Sequence, residues 1–75
     1  MSTEEEWGKV KNTIQLLKEK IAVEQKLAED YHSFVLRTGD EEWKERYRQM
    51  ALDAERHVNT LQERIEILTR HWALP

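Results

Sequence analysis

From Val10 the apolar positions run Val10, Ile14, Leu17, Ile21, then Ala28, Tyr31 and Val35, in alternating steps of three and four once position 24 is counted. That spacing puts side chains on one face of an α-helix. The member missing from the apolar series is Glu24. A second row, Leu16, Val23, Leu27 and Phe34, lies beside the first. At about 100° per residue the combined apolar arc covers about half the helix circumference, more than one partner helix can cover. Further along, Trp43, Tyr47, Met50, Ala54, Leu61, Leu68 and Trp72 share one line, flanked by Val58 and Ile65. The pattern therefore predicts two long helices, about residues 3–37 and 41–72, joined by a turn at 38–40.

The ends of these segments carry matching signals. Ser2 or Thr3 suits an N-cap, with Glu5 or Glu6 three residues later as in a capping box. Gly8 weakens the first turns by about 1 kcal/mol relative to alanine and favours fraying there. In Thr38-Gly39-Asp40, Gly39 suits the left-handed residue past a helix end and Asp40 the N-cap of the next helix. Glu41 and Glu42 complete an acidic first turn, and Pro75 ends the sequence. Glu42 with Arg46 and Glu66 with Arg70 form i,i+4 pairs of a solvated face. A connection this short allows only an antiparallel helical hairpin.

Composition narrows the picture without altering it. Seventy-five residues make a single domain, 1–75, and the chain has no cysteine. Below about 70–80 residues one core seldom suffices without disulfides, metal or further copies, so metal and self-association are the staples left. With 36% charged residues, 39% hydrophobic ones, one proline and two glycines, the chain is all-α. A net charge of −3 with no cluster of Lys or Arg argues against nucleic acid as partner. No apolar run approaches a membrane span, and the start Met-Ser-Thr-Glu-Glu-Glu is acidic where a signal peptide is basic and then apolar. A cytoplasmic location is the expectation.

A hairpin turning near residues 40 and 41 sets opposite each other positions whose numbers sum to about 81. Glu24 then faces His57, Tyr31 faces Met50, Ala28 faces Asp53 and Ile14 faces Ile67. An unpaired Glu24 amid the apolar arc bears a desolvation cost that demands a partner. His57, about 60° from the centre of its own stripe, is within reach. Three readings of the pair stand at this level: a metal site, a polar contact that fixes helix register, and two independently solvated side chains.

The arrangement resembles half of a ferritin-like four-helix bundle, in which one helix of each pair gives a Glu and the other a Glu-x-x-His, all directed inward onto two metal ions. It is most similar to the two-helix members, the encapsulated ferritins and rubrerythrin-like proteins, which rebuild the bundle by association. In these the Glu precedes the His by thirty-three residues, as Glu24 precedes His57, and a Tyr follows the Glu by seven, as Tyr31 does. The region before the His is acidic, as in Asp53-Ala54-Glu55-Arg56-His57, and the likeness covers about residues 14–68. The sequence departs at Ala54, where the motif has Glu; Asp53 and Glu55 flank it but point about 100° to either side. The resemblance implies an all-α hairpin that dimerises into a ferritin-like four-helix bundle or joins a larger ring. Glu24 and His57 would be metal ligands, with Tyr31 and Asp53 near them, and iron, which the family oxidises, would be the ion. Two Glu24 and two His57 brought together suit one ion, with manganese or zinc as alternatives to iron.

Other residues carry less. Glu29 and His32 form a second Glu-x-x-His, but Glu29 lies about 130° from the seam. His71 complements the C-terminal end of a helix dipole. Tyr31 reads as core, and Trp7, Trp43 and Trp72 as packing anchors near the hairpin's ends. Nothing resembles a Gly-rich phosphate loop, and Ser33 and His32 diverge on one helix, so an enzyme reading survives only through metal chemistry. The competing class is a non-catalytic helical module for self-association or protein interaction, with Glu24 and His57 as a structural polar pair and no cofactor.

Overall fold

The computed structural model describes residues 3–73. Two helices make up the fold, α1 (Thr3–Arg37) and α2 (Glu41–Ala73), packed against each other as an antiparallel hairpin, with no strand among the described residues. The molecule is a rod of 59 × 15 × 13 Å. Helix boundaries agree with the apolar periodicity to within one residue. Thr3 is already helical, and Ser2 and Pro75, expected at the first cap and the chain end, lie outside the described residues.

The turn forms differently from expectation at one point. Gly39 was expected in the left-handed region, yet no described residue has a positive φ. α1 instead runs to a last backbone bond, in which Thr38 N–H donates to the Phe34 carbonyl at 3.0 Å. The Thr38 hydroxyl then accepts the Asp40 N–H at 3.3 Å, a side-chain turn that needs no left-handed residue. Asp40 does cap α2: its Oδ1 accepts the N–H groups of Glu42 at 2.9 Å and Trp43 at 3.3 Å.

The buried seam is narrow and regular. On α1 it consists of Ile21, Glu24 and Ala28, and on α2 of Ala51, Ala54 and Val58, the same three-then-four spacing on both helices. Three alanines in six positions let the backbones approach closely. Ala51, outside the line of apolar residues that the sequence drew on α2, is 0% exposed, whereas Met50 and Trp43 on that line stay open to solvent. On α2 the seam is thus rotated by about 50° from the centre of that line, because small residues mark the closest approach.

Aromatic rings clamp both ends. Trp7 stacks on Trp72 with centroids 6.3 Å apart, and near the turn Phe34 lies 5.3 Å from Tyr47, which lies 5.7 Å from Trp43. These contacts account for the tryptophans as packing anchors and fix the two helix ends that the alanine seam alone would hold weakly.

A Cβ added at Gly39 meets nothing within 4 Å, and its φ is ordinary. Gly39→Ala should therefore raise the unfolding free energy by about 0.4–1 kcal/mol, whereas Asp40→Ala should lower it by about 1 kcal/mol. Urea titration at fixed protein concentration distinguishes the two directions.

Candidate functional site

Glu24 is the one buried charged side chain among the described residues, 8% exposed, held between Ile21 and Ala28 on the seam of α1. Its Oε2 lies 3.3 Å from His57 Nδ1, so the two residues that the hairpin register places level do meet. His57 remains open, its side chain 62% exposed. The second carboxylate oxygen, Oε1, has Lys20 Nζ at 3.9 Å as its nearest cation. No buried polar side-chain atom among the described residues lacks a hydrogen-bond partner.

This contact fixes the chemistry of the imidazole. With the carboxylate accepting, His57 carries its proton on Nδ1, and in the neutral ring Nε2 is left with a lone pair. In that state Glu24 orients the imidazole, and for both side chains to bind one ion the metal has to replace the Nδ1 proton between them. Glu24 and His57 line an open depression together with Leu27, Tyr31, Met50, Asp53 and Ala54. All four residues singled out from the sequence, Glu24, His57, Tyr31 and Asp53, thus border one concavity on one side of the hairpin.

Donor number is where a single chain falls short. Among the described residues no three acidic or histidine side chains stand close enough together to hold an ion. Ala54, 4% exposed, occupies the place of the expected motif's carboxylate. Asp53 is engaged by Arg56 at 3.6 Å, and Glu55 points to the other side of the hairpin. One chain therefore does not supply the donors of a di-metal site.

On that other side His32 Nε2 lies 2.8 Å from Glu55 Oε1, a cross-helix pair the register rule does not foresee. Helical side chains lean toward their own N-terminus, so on antiparallel helices long side chains lean toward one another and span several levels. Within the chain His32 is taken up by Glu55, and Glu29 borders a groove on this side with Gln25, Asn59 and the same Glu55.

Comparison with protein-family models, curated proteins and solved structures finds no match to this chain.

Burying one carboxylate against a half-open imidazole contributes little net stability, since the desolvation cost offsets the contact. Glu24→Leu should thus leave the hairpin intact and hold or raise its thermal midpoint. A loss greater than about 1 kcal/mol, the worth of an ordinary hydrogen bond, would instead show that the pair holds the two helices together.

Proposed function

We propose that two hairpins associate into a four-helix bundle and hold one divalent metal ion between them, with Glu24 and His57 of each chain as ligands. The observation that carries this reading is the meeting of a buried carboxylate and an exposed imidazole in a depression beside an uncovered apolar face. The residue resemblance to two-helix ferritin-like proteins points to iron, and two carboxylates with two imidazoles also accept manganese or zinc. Tyr31 and Asp53, at the edge of the depression, would orient the ligands or join them through water. Lys20 stands near Glu24 in the single chain and neutralises it; a bound cation takes over that role.

The second reading is a non-catalytic self-association or interaction module, in which Glu24 and His57 serve as a polar pair that fixes register. Ala54 favours it, because the buried methyl group stands where a third donor would be required.

The two readings part in metal content. Protein purified without chelator and offered Fe(II), Mn(II) and Zn(II) in turn should retain about one ion per two chains by elemental analysis. Glu24→Ala and His57→Ala should each lower that affinity by at least about tenfold. An unchanged, metal-free parent after all three ions would leave the interaction module as the function.

A further inference from the structure

Nine large apolar side chains are exposed among the described residues, and six fall on one side of the hairpin: Leu16, Val23, Leu27 and Phe34 on α1, with Trp43 and Met50 on α2, while Ile67 lies on the outer face of α2, nearly opposite the seam. The α1 stripe lies about 110° around its helix from the buried seam, close to the angle between the two neighbours of a helix in a four-helix bundle, and Trp43 and Met50 lie about 50–75° from the seam of α2 toward the same side. The chain exposes 5973 Å² at a mass of 9.1 kDa, against about 4,900 Å² for a compact monomer of that mass. The excess of about 1,000 Å² matches what one partner buries in a standard interface, about 800 Å².

The α1 stripe reads Leu16, Lys20, Val23, Leu27, Asp30, Phe34, in steps of four and three, and it is symmetric about residue 25. Reflection exchanges Leu16 with Phe34, Lys20 with Asp30 and Val23 with Leu27. Two copies of a helix running antiparallel across a two-fold axis place such positions side by side, so every apolar residue meets an apolar one and each lysine meets an aspartate. The α2 stripe matches only in part about residue 55: Asp53 exchanges with His57, an acid with an imidazole, and Met50 with Thr60, apolar with polar. Its one like-charge exchange is Arg46 with Arg64, and Arg46 is already held by Glu42 at 2.9 Å and stacked over Trp43 at 5.1 Å.

Glu24 stands opposite His57, so residues 25 and 55 fall within one residue of the same level, about 1.5 Å, and a single axis serves both helices. The alternative, α1 against the partner's α2, sets Val23 near His57 and Thr60 and Leu16 near Arg64, apolar against polar. The α1 stripe, with three matched exchanges of which Lys20 with Asp30 joins opposite charges, selects like against like.

We propose that this face binds a second copy of the chain antiparallel, α1 on α1 and α2 on α2, about a two-fold axis at the level of residues 25 and 55, with Lys20 against the partner's Asp30 and His57 against the partner's Asp53. The proposal rests on the two-hairpin reading above and gives it orientation and register. It also supplies the donor that one chain lacks, since the partner's Asp53 arrives beside His57. Lys20 exchanges a loose contact with Glu24, 3.9 Å, for the partner's Asp30, which frees the Glu24 Oε1 oxygen. Asp30 is tied within its own chain to Lys26 at 3.1 Å, a surface pair of the kind that yields easily.

Sedimentation of full-length Lys20→Asp and Asp30→Lys, separately and mixed, tests the register, with helix content followed by circular dichroism. Each variant alone sets like charges together twice and should dimerise at least about tenfold more weakly than the parent. Mixed in equal amounts they pair Asp with Lys at both places, so a heterodimer within about threefold of the parent's affinity is expected. The chain carrying both substitutions should also recover, which keeps the test sound if either single variant folds poorly. A dimeric parent whose dimer ignores the single substitutions, or whose mixture fails to recover, would overturn this register while leaving the bundle standing. A parent that is monomeric at micromolar concentration would overturn both, and would assign the face to a different protein.

Discussion

A carboxylate sits in the seam between the two described helices, and how the charge is presented follows from its place there. Glu24 is buried between two α1 residues and against the alanine-lined face of α2, where a bare charge is unfavourable. His57 and Lys20 surround it from the solvent side, at 3.3 and 3.9 Å. Because Ala28, Ala51 and Ala54 bring the helices close, the carboxylate has little room to turn inward and faces the open depression. The seam thus sets the direction in which the charge is presented, and that direction coincides with the uncovered apolar face.

The fully buried core of the hairpin is narrow. Among the described residues five apolar side chains are buried, three of them alanine, so the area removed from water between α1 and α2 is modest. Aromatic contacts at the two ends compensate in part, Trp7 on Trp72 at one and Phe34, Tyr47 and Trp43 at the other. Ile14, Leu17, Leu61, Ile65 and Leu68 are half-buried beside the seam, whereas Leu16 at 65% exposure, Val23 and Leu27 lie outside it and would gain from a partner that covers them. The proposed association and the proposed completion of a donor set would both use one surface, the side of the hairpin on which Glu24 and His57 open beside exposed apolar residues.

Much of the fold was legible in the sequence because long apolar repeats of period 3.6 have few alternatives. Both helices, the N-cap at Asp40 and the level of Glu24 with His57 followed from spacing alone. Gly39 did not take its expected left-handed conformation, because the Thr38 hydroxyl closes the turn in its place. The centre of the seam was displaced for a different reason: hydrophobic bulk marks the widest apolar face, whereas closest approach is marked by small residues such as Ala51. The His32 and Glu55 contact escaped a rule based on levels, since side-chain lean carries long residues past several levels, and only an explicit account of that lean finds it. The donor shortfall at Ala54 was visible as a departure from a motif, and the structure adds that the position is closed by packing.

Native mass spectrometry of the chain loaded anaerobically with Fe(II), and separately with Mn(II) and Zn(II), tests the central claim most directly, because it reads association and metal content in one species. A dominant ion of two chains with one metal, absent for His57→Ala, is the expected result. Two chains without metal under all three loadings would contradict it and leave Glu24 and His57 as a structural pair inside a helical interaction module.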